Sequence, residues 1–384
     1  MKIAIIGPST TFLSGVSYYT IRLSNALSEY LEVYSILFRN MLPRRLFPGW
    51  RRVGKVEVGI GFNERVKFYE IMDWNNPITW LKAFNLIRDC DVVILQWWTS
   101  SVAHMYLSLE ILNRVSSKIP IVIEFHEVVD PLESSIVPVR IYSKVVGRVI
   151  RGLANHHVVH SKEDRELIGK IYKIPFDRIH VIPHGIYDHY RRMDRSKARE
   201  ILNINDFTIL FFGLLRPYKG VKYLVKAFEM LPKDVIKDSR LLIVGETWED
   251  RESIEIIKRS KFSKRITLIN KYVPDDEVSL YFSASDVLVV PYTRASQSGV
   301  AHIAMSFGIP IVASYVGGLK DSLSRYKGTV FVNPGDVYSL RDAILELYFK
   351  SRRRYKHPKE LKWENVAKRW IDILEQIKSQ PTIP

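Results

Sequence analysis

Short apolar runs rich in Val, Ile and Leu alternate along the chain with longer stretches whose apolar positions recur every three or four residues. The short runs predict buried strands of a parallel sheet, and the longer ones predict amphipathic helices. Lys2–Ile6 opens the first series, and strand patterns follow at Glu32–Phe38, Val56–Phe62, Asp91–Gln96, Pro120–Glu127, His156–His160 and Ile179–Ile182. A helix begins near Val16, with Tyr19, Leu23, Ala26, Leu27 and Tyr30 on the same inner face as Val16. Tyr187 to Asn205 is charged, lacks a strand pattern and reads as a connection carrying a short helix. The strand pattern then restarts at Phe207–Gly213, Arg240–Gly245, Ile266–Asn270, Asp286–Tyr292, Pro310–Ser314 and Gly328–Val332. This rhythm predicts an α/β chain of two domains, with no short-period repeat or low-complexity segment.

The junction from Ile209 to Leu231 organises the second half. Its strand ends at Gly213, and Val221, Leu224, Val225, Phe228 and Leu231 share one helical face. Between them, Arg216-Pro-Tyr-Lys219-Gly220 places two cations at a helix start. Free helix N–H groups and fixed cations together favour phosphate. The alternative is a first turn that is basic by accident. Cations there oppose the helix dipole, so they need another reason to be present.

Open α/β sheets bind ligands beyond the C-terminal ends of their strands. In the first half those ends carry Gln96-Trp97-Trp98, His126-Glu127, His160-Ser161 and Pro183-His184-Gly185. Any one of these histidines alone reads as structural; their repeated placement at one edge favours a site. In the second half the ends carry Gly245-Glu246, Lys271 to Pro274 including Tyr272 and Val273, and Gln297-Ser298-Gly299-Val300. Ser298 to Val300 reads as a helix start that exposes backbone N–H groups, against the plain alternative of an ordinary cap. The first loop, GPSTTFLSG, ends in Ser14 and Gly15, where a ligand's close approach and a plain turn are equally good readings. Its glycines do not form G-x-G-x-x-G, which disfavours hydride transfer, and the P-loop signature is absent.

At 384 residues the chain has room for two cores. One cysteine, Cys90, excludes an internal disulfide and suits a reducing interior. No run approaches the roughly 18 apolar residues of a membrane span, and a cytosolic protein is expected. The 57 Lys and Arg against 41 Asp and Glu give a net charge of +16, which predicts an anionic partner. No His/Cys cluster has zinc spacing and no paired acidic motif asks for a divalent metal, so neither metal nor cofactor is expected.

FGLLRPYKGVKYLVKAF, VIPHG, SDVLVVPY followed by SQSGV, and IVASYVGGLKDSL resemble the retaining glycosyltransferases of family 4. The likeness covers most of the chain and is strongest from about Val181 to Ala343. It implies the GT-B fold, two Rossmann-like domains facing across a cleft, with 1–187 binding acceptor, 188–360 binding the nucleotide sugar, and a helix in 361–384 crossing back onto the first domain. It also implies retention of anomeric configuration, while the absence of metal motifs beside the cationic loop makes a metal-free reaction the economical expectation. By position, His126 resembles the histidine that contacts the transferred sugar, and Arg216 and Lys219 the cations on the diphosphate. Gly15, Gly213, Gly245, Glu246, Tyr272, Val273, Gln297, Ser298, Gly299 and Val300 fall on the donor side. Ser14, Trp97, Trp98, Glu127 and His184 are the acceptor-side candidates. One departure stands out: Ala295 and Ile303 occupy the places of the family's usual Glu-x7-Glu pair. The Gln-Ser-Gly-Val run resembles a branch of the same family.

The charge is clustered. Arg39, Arg44, Arg45, Arg51, Arg52 and Lys55 interleave with Met41, Leu42, Leu46, Phe47 and Trp50, and Arg140, Lys144, Arg148 and Arg151 mark a second stretch. Cations mixed with large apolar groups suit an anionic membrane interface at the inner face of the cell membrane; a solvated surface is the plain alternative. Three functions remain open: a glycosyltransferase acting on a lipid-linked or cell-envelope acceptor, a non-catalytic nucleotide-sugar binder, and, from charge alone, a nucleic-acid-binding protein. No nucleic-acid recognition motif is present, and none is expected as partner.

Overall fold

A computed structural model describes residues 1–12, 14–41, 59–128, 137–295, 297–350 and 353–379. The chain divides into two units, Met1–Gly185 with Glu360–Pro384, and Ile186–Lys359. Each is a wholly parallel sheet with helices, the arrangement that the alternating pattern dictates.

The first sheet has seven strands: β1 (Lys2–Pro8), β2 (Glu32–Asn40), β3 (Val66–Asp73), β4 (Val92–Trp97), β5 (Ile121–Phe125), β6 (His156–Val159) and β7 (Ile179–Val181). Their order is β3-β2-β1-β4-β5-β6-β7, so the winding direction reverses between β1 and β4. Residues 59–62 of the expected Val56–Phe62 strand form none, and 56–58 lie outside the described residues. The strand falls at Val66–Asp73 instead. Gly59 and Gly61 weaken the earlier run, while β3 is an edge strand whose half-exposed Lys67 and Glu70 hide its pattern.

One face of this sheet packs on helices at Gly15–Leu27 and Trp363–Ser379. Tyr19, Leu23 and Leu27 of the first meet Val366, Trp370 and Leu374 of the second over Ile3, Ile5, Val92 and Ile94. The chain's last described helix therefore belongs to the first unit's core. Lys378 fixes its end by an ion pair to Asp91 at 2.9 Å. Gly185 lies so close to Trp363 that a Cβ there would come within 2.5 Å of the indole.

The second sheet has six strands: β8 (Phe207–Phe212), β9 (Ser239–Val244), β10 (Ile266–Ile269), β11 (Val287–Val290), β12 (Ile311–Ser314) and β13 (Thr329–Val332). Their order is β10-β9-β8-β11-β12-β13, and the winding reverses between β8 and β11. The helix Val221–Glu229 buries Val221, Leu224, Val225 and Phe228, as its period requires. The short helix in the charged connection spans Arg195–Leu202. Its Arg199 and Arg195 bind Asp286 at 3.3 and 2.6 Å, and Asp286 also accepts from the Thr208 N–H at the start of β8.

Candidate active site

In the second unit, the loops after β8 and β11 meet at the point where the sheet reverses direction, the place where such sheets hold ligands. The chain leaves β8 through Gly213, whose φ of +112° favours glycine. A Cβ at Gly213 would lie 3.1 Å from Lys219 Nζ and 3.5 Å from Val300 Cγ2, so the cationic loop and the Ser298–Val300 turn converge on this glycine. Gly245, at the end of β9, has φ of +145°, and a Cβ there would come within 2.0 Å of the Gly213 carbonyl. Pro217–Lys219 forms a single tight turn that ends at Gly220. The two loops are joined by the Thr293 N–H, which donates to the Tyr218 carbonyl at 2.8 Å.

The cations here lack counter-charges. Burial holds the Lys219 ammonium below its usual pKa, and Arg216 adds repulsion in the same direction against an opposing effect of Tyr218. Arg216 lies over Trp248 at 5.1 Å, and its Nε is buried with no hydrogen-bond partner. No carboxylate among the described residues pairs with either cation. Two uncompensated charges beside a helix start suit an anion, which would relieve both. Ser298 caps that helix, Gly299–Phe307, by accepting from the Ala301 N–H at 3.3 Å.

Other donor-side candidates border the same loops. Both amide atoms of Gln297 are buried without a partner. Glu246 accepts from Trp248 Nε1 at 3.0 Å, which turns its carboxylate toward that ring. Val273 is buried and Tyr272 half-buried after β10. Ala295 contributes its carbonyl to the Gly318 N–H at 3.2 Å, and Ile303 packs inside, so neither position offers a carboxylate.

In the first unit the reversal point lies between β1 and β4. Ser14 caps the first helix through the Ser17 N–H at 3.2 Å, and Gly15 is exposed beside it. His126 follows β5, with its N–H on the Trp97 carbonyl at 2.8 Å and its ring half-buried. Burial, with His160 nearby, keeps the His126 imidazole well below its usual pKa and hence neutral. Glu127 is exposed, and Trp98 is half-buried with its edge toward Phe38. Trp97 is different: it is fully buried among core residues, with Arg151 above its ring, so the structure gives it a packing role instead of an acceptor contact. The period-2 pattern of β4 turns it inward. His184 is also buried, with Nδ1 donating to the Gly185 carbonyl at 2.6 Å and its ring 4.6 Å from Tyr19.

Beneath His126, Gln96 and His160 join a polar cluster with Glu124 and Tyr19, whose part in it the sequence did not single out. Glu124 of β5 is completely buried and accepts from Tyr19 Oη at 2.5 Å and from Gln96 Nε2 at 2.6 Å. Its signal was a lone acid inside the apolar run IVIEF. Glu124, His126 and His160 place potential metal-ligating atoms within 4.8 Å of one another. Both Glu124 oxygens and His126 Nε2 already have protein partners, and only His160 Nε2 has none, so the group is arranged as a hydrogen-bond network.

Comparison with known proteins accounts for both halves. The family described as Glycosyltransferase Family 4 matches residues 13–189, and Glycosyl transferases group 1 matches residues 206–349. A D-inositol 3-phosphate glycosyltransferase of Pseudarthrobacter chlorophenolicus is 29% identical over 275 residues, covering 67% of this chain and 62% of that protein. The matched stretches span 56% to 62% of the length of three curated relatives. Sucrose-phosphate synthase from Thermosynechococcus elongatus has the same fold at a TM-score of 0.69 and 18% identity, over 98% of this chain and 99% of that one. HepE of Anabaena, solved in complex with UDP-glucose, follows at 0.65 and 16%, over 98% of each chain. With its cationic loop, its capped helix start and two matched halves, this chain belongs to the group 1, family 4 glycosyltransferases of GT-B fold.

Proposed function

We propose that the protein is a retaining glycosyltransferase that moves a sugar from a nucleotide-diphosphate sugar to a hydroxyl acceptor. The convergence of Lys219, Gly213 and Val300 beside Arg216 carries this reading, because it forms a half-buried, uncompensated cationic site whose chemistry suits a diphosphate. The relative solved with UDP-glucose supports the donor class.

In this mechanism the bond from the anomeric carbon to the diphosphate stretches first. Arg216, Lys219 and the N–H groups at Gly299 and Val300 stabilise the charge gathering on the leaving oxygen. That oxygen takes the proton of the acceptor hydroxyl, whose oxygen forms the new bond on the same face. His126 binds the sugar and, being neutral, adds no repulsion to a positively charged sugar ring. The cations supply the charge stabilisation that a divalent ion supplies elsewhere, so the reaction is metal-independent.

We assign the acceptor to the lipid-linked or cell-envelope class, with the enzyme peripheral to an anionic membrane. The helix Val137–Leu153 supports this. Val137, Ile141, Val145 and Val149 are exposed beside exposed Arg140, Lys144 and Arg148, and the helix has no acidic residue. Arg151 does not join that surface, since its guanidinium is buried 3.6 Å from the Tyr172 ring centre. Arg44, Arg45, Arg51, Arg52 and Lys55 lie outside the described residues.

A non-catalytic binder is the second reading, favoured by Ala295 and Ile303. One experiment separates the two. Nucleotides are screened by thermal shift, and release of nucleoside diphosphate from the stabilising donor is then measured, with product anomeric configuration read by NMR. Lys219→Ala and Arg216→Ala should each lower turnover by at least ~10²-fold. Donor binding without turnover by the wild type establishes the binder, and near-normal rates in both folded variants refute the cationic pocket.

A further inference from the structure

His126 rests on a buried chain of polar groups with a defined direction. His126 Nε2 bonds to Gln96 Oε1, an atom that can only accept, so this nitrogen carries the ring proton. The other end of the same amide donates to Glu124 Oε2 at 2.6 Å. Glu124 Oε1 accepts from Tyr19 at 2.5 Å, and His160 Nε2 faces it at 3.8 Å. His160 uses Nδ1 to donate to the Ile182 carbonyl at 3.0 Å, which leaves its buried Nε2 as an unpartnered lone pair. Glu124 and Gln96 have no exposed surface and His160 only 4%. Bulk water therefore does not reach these links.

An amide has one accepting and one donating end, so turning Gln96 over would reverse the chain. Glu124 would then have to donate from Oε2, and His126 would carry its proton on Nδ1. The His160 lone pair, 3.8 Å from Oε1, opposes this reversal, because it favours a Glu124 proton on Oε1 over one on Oε2. When Glu124 is ionised, both oxygens accept and the direction is the same.

Resting on the proposed transferase function, we infer that Glu124 and Gln96 are positioning residues that lock His126 in the Nε2–H tautomer, so that Nδ1 presents a lone pair to a sugar hydroxyl. Nδ1 makes no hydrogen bond among the described residues. A hydroxyl bound there must donate, which leaves its oxygen electron-rich while the neighbouring carbon gains positive charge. The opposite tautomer would donate a proton to that oxygen and oppose the charge. Burial raises the Glu124 carboxyl to about 8, so near neutrality the network is largely uncharged.

The test reads tautomer and rate separately. In protein carrying ¹⁵N-labelled histidine, long-range ¹H–¹⁵N spectra assigned with His126→Gln should show Nε2 protonated and Nδ1 bare from about pH 6 to 9, the range over which an unperturbed imidazole loses its charge and Glu124 titrates. A wild-type spectrum with Nδ1 protonated overturns the inference without any variant. Gln96→Met and Glu124→Met should each give mixed tautomers and lower kcat on the order of tenfold at unchanged donor KM. Glu124→Gln, whose amide can still accept from Gln96, should restore both. Wild-type tautomer and rate in both Met variants, or no rescue by Gln, also overturns it. Absence of transferase activity would sink the proposed function while the spectra still decide the tautomer.

Discussion

At the scale of single residues, the pocket cations and the buried histidines make separate predictions. If Arg216 and Lys219 carry the diphosphate charge, as proposed, activity should survive excess EDTA. A rate lost on complete chelation and regained with Mg²⁺ or Mn²⁺ would refute that assignment. The histidines govern acid stability. Burial holds His157, His160 and His180 at about 4 against an ordinary 6.5. The unfolded chain takes up protons first as pH falls, so the urea midpoint should drop between about pH 6.5 and 4. Glu124 acts in the opposite direction. Its folded pKa of about 8 lies above the ordinary 4.5, so its contribution is fully present below 4.5 and is lost as pH rises to about 8. Glu124→Gln should flatten the alkaline limb of the midpoint curve and steepen the fall below about pH 6.5, where the carboxyl and the histidines oppose each other; equal curves for both proteins would contradict this. The sequence made Arg216, Lys219 and His126 legible because each sits at a strand end in a recognisable motif. It left Glu124 and Tyr19 obscure, since their meaning comes from a contact 105 residues apart.

Among the elements, strand ends and glycines fix the shape of the loops that carry Arg216 and Lys219. Gly220 has φ of +68°, and a Cβ there would lie 2.0 Å from the Pro291 carbonyl, as close as a Cβ at Gly245 would be to Gly213. Gly220→Ala and Gly245→Ala should each cost about 1–3 kcal/mol of stability, the scale of one strained backbone position, read as a lowered urea midpoint. A loss within error would show that the loops can separate. Most strands were legible within a residue or two, because buried parallel strands read as unbroken apolar runs. β3 was not, since an edge strand with Lys67, Glu70 and Asp73 lacks such a run. The inward side of Trp97 was missed for a different reason. Position at a strand end marks where a ligand binds, but only the pleat decides which face a side chain takes.

Across the whole molecule, the net charge of +16 suits an anionic partner, and the helix Val137–Leu153 sets exposed Arg140, Lys144 and Arg148 among exposed apolar side chains. Each cation near an anionic bilayer contributes on the order of 1 kcal/mol. Replacing Arg140, Lys144 and Arg148 together by Gln should weaken sedimentation with anionic vesicles and leave nucleotide binding intact. Wild-type binding to anionic and zwitterionic vesicles alike, or to neither, removes the membrane assignment.

Chain order and unit order do not coincide in this fold. A ribosome releases the strands of the first sheet early, yet Trp363, Val366, Trp370 and Leu374, which close one face of that sheet, emerge after Lys359, when every residue of the second unit has already been made. Until then Ile3, Ile5, Val92 and Ile94 lack part of their apolar cover. The second unit is therefore able to finish its core first, and the nascent first unit keeps apolar surface open to a chaperone until that helix has emerged.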